Sequence, residues 1–433
     1  MADAPGVPDP DPTHTAELRL EPVGFIARTD AVMRLGALML GAGASSARVS
    51  DSMSRAAQAV GIEELHSRVG MKDIVSTASR GQMFRTRVAE IRTPAVDADR
   101  LTALKRLTNR LRPGMTAGEL QAELDTVERM PRRYADPLRI LAAALACAAF
   151  ALLNNGGWQE FVAVGVAAGT GQAVRMAIHR LRTNEFLVVF ASAATALLVY
   201  LLVAQVFTLV GLPGGQHDAA LTSAVLFLVP GFPLVTGALD LARLDLNSGI
   251  ARVTYAVLIL LATGTAVWGV AAVFDATVTQ TASPAFAEPL LSVVRFAAGI
   301  VGVFGFAVLF STPAAIALAA ALLGSAANVG RLALVDAGLM PAVAAAAAAL
   351  AVGLGAYLVG DRLRAPRVTL TVPAVLIMVP GAAAYRSIAG VIDGDTLAAI
   401  QNGMQALFVV VALAIGLTVA RVLTEREWQL PAR

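Results

Sequence analysis

Leu228-Val229-Pro230-Gly231-Phe232-Pro233-Leu234 is the stretch that decides how this chain is read. It lies in the middle of an apolar run long enough to cross a bilayer. Its core recurs 150 residues later as Met378-Val379-Pro380-Gly381, in the middle of a second such run. Proline removes a backbone donor and clashes with the preceding turn, and glycine adds local freedom. A helix interrupted at mid-membrane leaves polar backbone groups free. Those groups are tolerated only where protein or a water-filled cavity satisfies them. Paired interruptions in matching halves of a membrane protein point to a binding site.

Composition supports a membrane protein with a separate charged region. The chain has 433 residues, 57% hydrophobic and 15% charged, with net charge +3. That balance excludes an ordinary soluble protein and gives no footing for nucleic acid. Of 34 Lys and Arg, 20 precede Ile140, as do 18 of the 31 Asp and Glu. The single cysteine, Cys147, rules out a disulfide within the chain and a thiolate metal site. The first 20 residues, with Pro5, Pro8, Pro10 and Pro12 among acids, read as a disordered tail and not as a signal peptide.

Residues 25–136 read as a small α+β domain, after a disordered tail over 1–24. Thr29 or Asp30 is placed to cap a helix ending near Gly41. A second helix ends at Gly61, which suits a left-handed C-terminal cap. The β-prone runs 74–78 and 84–88 flank Arg80-Gly81-Gln82 and predict a hairpin, with a third strand near 65–69. A helix follows over 97–111. Thr116-x-x-Glu119 is a capping box opening another.

From Pro137 on, apolar runs recur at a length that spans about 30 Å of hydrocarbon. Ten are expected: 138–153, 161–178, 186–207, 220–241, 249–274, 290–310, 313–335, 339–359, 368–390 and 397–423. Arginine placement orients them. With the N-terminal domain cytoplasmic, the inner loops and flanks hold Arg132, Arg133, Arg139, Arg180, Arg182, Arg243, Arg252, Arg362, Arg364, Arg367 and Arg426. The outer loops hold Glu160, Asp218, Asp275, Glu288, Asp336, Asp393 and Asp395, and no Lys or Arg. Both termini are then cytoplasmic, with a short tail over 425–433. Arg295, Arg331 and Arg386 sit inside spans toward the outer side and are the exceptions.

The fold class expected is therefore an all-α polytopic membrane protein of ten transmembrane helices with a small α+β cytoplasmic domain. The spans divide as five plus five, modules 137–274 and 288–424. An odd number per half inverts the second relative to the first. The fourth and ninth spans carry the two Val-Pro-Gly breaks. The second and seventh carry Gly169-Thr-Gly-Gln-Ala-Val-Arg175 and Gly324-Ser-Ala-Ala-Asn-Val-Gly-Arg331, each with small residues, one amide side chain and then an arginine.

The candidate substrate-binding residues follow from the breaks: Pro230, Gly231, Pro233, Pro380, Gly381, Tyr385, Arg386 and Asn402. One isolated break would read as a packing kink; two at matching positions favour a substrate-lining role. Asp240 reads either as a proton-coupling or amine-binding group or as a helix-end acid paired with Arg243. Arg386 reads either as a clamp for a carboxylate or as a side chain snorkelling to the interface. Gln172, Arg175, Asn328 and Arg331 read as structural or gating groups, with helix-to-helix bonding the simpler account of the amides. No Gly-x-Ser-x-Gly, Walker motif or histidine cluster is present, so no catalytic residue, cofactor or metal is expected, and the chain is not read as an enzyme.

From about Ala27 to Leu423 the chain resembles the bacterial threonine/serine exporter family in a fused two-module form. The resemblance rests on Leu35-Gly-Ala-Leu-Met-Leu-Gly-Ala-Gly43, Lys72-Asp-Ile-Val-Ser-Thr77 and Phe84-Arg-Thr-Arg-Val88. It rests further on Leu228-Val-Pro-Gly-Phe-Pro-Leu-Val-Thr-Gly-Ala-Leu-Asp240 and on Val379-Pro-Gly followed by Tyr385-Arg386. It implies proton-coupled export of threonine and serine across the cytoplasmic (inner) membrane. The partners are then a small amino-acid substrate, protons and the lipid bilayer, with a homo-oligomer left open. A small dicarboxylate such as succinate is the alternative cargo. A channel and a membrane-anchored sensor are the alternative classes.

Overall fold

The computed structural model describes residues 12–91, 95–181, 183–212, 218–274, 287–392 and 394–425. The chain divides into two compact units: one takes in residues up to Ala95 and 103–130, the other 96–102 and everything from Pro131 on.

The first unit opens with α1 (Pro12–Gly41) and α2 (Ser46–Ala59). Helix α1 starts well before the expected cap, and residues 12–24 are helical where a disordered tail is expected. The reason lies in the two supposed caps. The Thr29 hydroxyl donates to the Phe25 carbonyl at 2.8 Å, inside the helix. The Asp30 carboxylate pairs with Arg85 and Arg87 across the unit. With neither side chain turned to the backbone N–H groups, neither starts the helix where it stands.

Three antiparallel strands follow, β1 (Glu64–Val69), β2 (Asp73–Arg80) and β3 (Met83–Glu90), in the order β1-β2-β3. Arg80 pairs with Met83, and Gly81 takes the left-handed turn between them at φ 56°. Gly61 closes α2 at φ 77°, with the Ile62 N–H reaching back to the Ala57 carbonyl at 2.9 Å. Alternation along β2 buries Ile74, Ser76 and Ala78 under the helices. Helix α3 (Ala98–Arg110) falls on the boundary between the units.

Helix α4 (Ala117–Glu128) has the capping box its sequence predicts, with Thr116 and Glu119 exchanging bonds. The Thr116 backbone N–H, and then its hydroxyl, hold the Glu119 carboxyl below the ordinary glutamate value of 4.5. A depressed folded value stabilises above the unfolded one, and that contribution is lost as pH falls through the folded value. A titration followed by NMR should place the Glu119 midpoint below 4.5, and Thr116→Val should return it toward 4.5.

The second unit is helical. Eight helices are long and apolar enough to cross a membrane: α5 (Asp136–Leu153), α6 (Trp158–His179), α7 (Glu185–Leu209), α10 (Leu246–Val273), α11 (Leu290–Leu309), α12 (Ala314–Asp336), α13 (Pro341–Gly360) and α16 (Thr396–Thr424). Helices α14 (Arg367–Leu376) and α15 (Gly381–Ile392) form a ninth candidate, bent by 53° at the second break. The expected span over 220–241 is not one helix. It is α8 (Asp218–Ala224), a 3-10 turn (Leu226–Leu228) and α9 (Gly231–Ala242). By length and composition the count is therefore eight or nine, not ten, among the described residues. Pro230 supplies no N–H, and Pro233 falls in the first turn of α9, where proline is tolerated.

Large apolar side chains such as Leu187, Leu202, Leu258 and Phe408 stand outward on these helices. In water such surfaces would aggregate, whereas hydrocarbon accepts them. Multiple helices of this kind make the protein a multi-pass membrane protein. Helix α5 packs on α6, α6 on α7, α7 on α10 and α10 on α9. In the same way α11 packs on α12, α12 on α13, α13 on α16 and α16 on α15, while α5 and α11 pack on each other.

Candidate functional site

The two breaks have the same backbone hydrogen bonds. At the first, the Leu228 and Val229 N–H groups donate to the Val225 and Leu226 carbonyls, each at 3.0 Å. At the second, Met378 and Val379 donate to Val375 and Leu376 at 2.9 and 3.1 Å. Gly231 N–H then turns back to the Val229 carbonyl at 2.8 Å, and Gly381 to Val379 at 2.8 Å. The new helices begin with Leu234 to Pro230 at 3.1 Å and Ala384 to Pro380 at 3.0 Å. Asp245 and Asp395 occupy the N-caps of the next helices, α10 and α16. The two breaks are thus one local structure written twice.

They also meet. A Cβ on Gly231 would overlap the Cδ1 atom of Leu376, at the end of α14. A Cβ on Gly381 would lie 3.5 Å from Cδ1 of Leu226, in the 3-10 turn of the first break. Leu226 and Leu376 hold matching positions, so each glycine faces the leucine of the opposite break. Behind them stand the small residues of α6 and α12. Gly171 abuts the Phe227 ring, where a Cβ would lie 2.7 Å from Cζ, and Gly324 abuts Ala374, where a Cβ would lie 2.7 Å from the carbonyl oxygen.

A cavity opens beside this crossing. Its lining comes from Phe150 of α5, Thr222, the 225–229 break, Leu260 to Val267 of α10, and Gly381 to Ile388 of α15. Of the residues singled out from sequence, Gly381 and Tyr385 line it. Gly231 packs at the crossing itself. Pro230, Pro233, Pro380, Arg386 and Asn402 are not among its lining residues. Asn402 donates from Nδ2 to the Ala398 carbonyl of its own helix at 2.8 Å. Arg386 is half-buried on α15, next to Tyr385.

Asp240 lies away from the cavity, in the α9–α10 hairpin. It stands in the last turn of α9. Its side chain is 1% exposed and ion-paired with Arg252 at 3.3 Å, itself 6% exposed. Ser248 donates to the Asp240 carboxylate at 3.1 Å and receives from Arg252 Nε at 3.2 Å. Arg252 Nη1 donates to Thr236 Oγ1 at 3.0 Å. Arginine placement alone puts Arg252 on an inner flank; the fold buries it nearly two turns inside α10.

Arg175 of α6 extends Nη1 toward the Phe227 carbonyl at 3.4 Å, and the Phe227 backbone also hydrogen-bonds the Cys147 thiol. The arginine therefore serves backbone left free by the first break. Gln172, one turn before it, is 3% exposed. Arg331, its counterpart in α12, donates from Nε to Asn328 Oδ1 at 2.9 Å. Arg295 is tied to Asp336 at 2.5 Å. No group of three or more His, Cys, Asp or Glu placed to hold a metal occurs among the described residues.

Sequence reasoning missed Thr222, Thr263, Gly264 and Arg252. The first three carry no break and no charge, and only the spacing between the two halves marks them.

The comparisons with known proteins point to one family. The profile of the threonine/serine exporter family, ThrE, matches residues 30–274, and a second, described as Threonine/Serine exporter, ThrE, matches residues 295–423. The chain is 25% identical over 414 residues to "Probable threonine/serine exporter" of Mycobacterium tuberculosis (strain ATCC 25618 / H37Rv), covering 92% of this chain and 75% of that protein. It is 29% identical over 244 residues to "Probable succinate transporter subunit YjjP" of Escherichia coli (strain K12), covering 55% of this chain and 91% of that one. No solved structure matches. This chain belongs to the threonine/serine exporter family.

Proposed function

We propose that the protein is a secondary-active, proton-coupled exporter of threonine and serine in the cytoplasmic (inner) membrane, with both termini cytoplasmic and its two five-segment modules inverted. The observation that carries the reading is the chemistry of the cavity at the start of α15. Gly381 and Ala382 line it. The Gly381 N–H is taken by Val379, but the next N–H groups of a helix's first turn lack intrahelical partners, and its dipole favours an anion there. No Lys, Arg, Asp or Glu is among the lining residues. One carboxylate would be met by the opening turn of α15. An ammonium group would be met by the second lone pairs of the Val225, Leu226 or Val229 carbonyls, and a side-chain hydroxyl by Thr222, Thr263 or Tyr385. A zwitterion with a small hydroxylated side chain suits that set.

The inverted repeat is supported by the matching helix pairings and by the two identical breaks. Each half closes on itself in the same order, and the halves cross at mid-segment. Rocking of one module against the other about this crossing would alternate access to the cavity. Asp240 is the proton-coupling group of the proposal. Its positions in the second half are Gly390 for Asp240 and Asn402 for Arg252, so the ion pair belongs to one module alone. A proton on Asp240 would release Arg252, and the α9–α10 hairpin with it.

The second reading is export of a small dicarboxylate, favoured by the names of the YjjP relatives. It needs a cationic partner for the second carboxylate, and Arg386 is the nearest candidate in sequence to the cavity wall. Vesicle transport of labelled threonine under an imposed pH gradient separates the two. Saturable, gradient-driven flux competed by excess serine and not by succinate is expected. Competition by succinate alone would select the dicarboxylate reading. Flux that neither saturates nor follows the gradient would make the protein a channel.

A further inference from the structure

The second unit holds another cavity, and its composition acts as a control on the first. It is lined by eight residues, among them Leu234, Val379 and Leu413. Each of the eight stands 150 positions from a residue lining the first cavity. Val379 answers to Val229, Leu413 to Thr263, Ala414 to Gly264 and Val235 to Tyr385. The same backbone plan therefore builds two cavities from matching positions of the two halves.

Their chemistry differs in one respect. The first has hydroxyls at Thr222, Thr263 and Tyr385. At the matching positions stand Val372, Leu413 and Val235. The fold thus packs well with apolar side chains at all three positions, so packing does not require the hydroxyls. Burying a hydroxyl is costly unless it is bonded. Thr263 is 5% exposed, and its proton goes to the Ile259 carbonyl at 2.9 Å. What it presents to a ligand is oxygen lone pairs. These accept from a hydroxyl or an ammonium group and repel a carboxylate.

The packing beside Thr263 differs too. A Cβ on Gly264 would overlap Cδ1 of Ile388, so glycine lets the larger Ile388 close against α10 beside Thr263. The twin has Ala414 opposite Ala238, a larger residue facing a smaller one.

We propose that Thr222, Thr263 and Tyr385 form a hydroxyl-recognising set that selects hydroxy amino acids over their apolar isosteres. The proposal rests on the exporter reading of this same site. Valine is the probe, because it has the shape of threonine without the hydroxyl. The full chain in proteoliposomes is loaded with labelled threonine, and counterflow is competed with serine or valine. Wild type should reject valine relative to serine by roughly 100-fold or more, as sites built to bond a substrate hydroxyl do. Thr263→Val, Thr222→Val and Tyr385→Phe should each narrow that gap by about 10-fold, as the loss of one hydrogen bond implies. Thr263→Ser should preserve it. Should a valine variant fail to fold, Tyr385→Phe, which removes one oxygen and no packing, decides the outcome. An unchanged gap in variants that still carry threonine overturns the hydroxyl set and leaves the exporter reading standing. Wild-type vesicles that carry succinate and no hydroxy amino acid overturn both.

Discussion

Gly231→Ala is expected to impair transport and to destabilise the membrane unit by about 1–3 kcal/mol, the usual cost of overpacking a filled core. The new methyl would overlap Leu376, which is 2% exposed and has no open side to turn toward. The overlap falls where the two breaks cross, so relieving it must shift α9 against α14. The matching change in the other half, Gly381→Ala, should be far milder in stability, because its methyl meets Leu226 at an ordinary 3.5 Å. Thermal unfolding in detergent reads the stability difference, and threonine counterflow reads the function. Equal behaviour of the two variants would mean that the crossing of the breaks is not what sets their spacing.

The second large effect concerns Asp240 and Arg252. Their side chains are 1% and 6% exposed, 3.3 Å apart. Removing one partner of a buried pair leaves a charge in low dielectric and costs about 3–5 kcal/mol, whereas replacing both by apolar groups of similar volume is often near neutral. Arg252→Met alone should therefore unfold at markedly lower temperature. Asp240→Leu/Arg252→Met should regain much of the loss. The proposed coupling role predicts something a structural pair does not. The double variant should exchange threonine across the membrane by counterflow yet fail to accumulate it against a gradient when pH drives transport. A stable double variant that still accumulates threonine would remove Asp240 from the coupling step.

Much of the fold is legible in one dimension. Run length bounds a span because hydrocarbon thickness is fixed. Thus α5, α6, α7, α10, α11, α12, α13 and α16 lie within a few residues of their expected ranges. The Val-Pro-Gly breaks are legible because proline and glycine act on the backbone wherever they stand. In the charged region the capping box and the hairpin turn are equally local, and both are present. The start of α1 is not legible in this way. A Thr and an Asp that could cap a helix can also bond elsewhere, and only the finished unit says which they do.

The sequence by itself determined that this is a membrane protein of two halves, each interrupted at the same point, and which family it belongs to. The tertiary structure decided the rest of the site. It brought Gly231 to Leu376 and Gly381 to Leu226, gave Asp240 the distant Arg252, and placed Thr222, Thr263 and Tyr385 on one cavity. The physical reason is that helices in lipid are apolar all round. A soluble helix reveals its packed face through amphipathic period. A membrane helix has hydrocarbon outside and hydrocarbon-like core inside, so its sequence marks where it bends and not which face it turns to its neighbours.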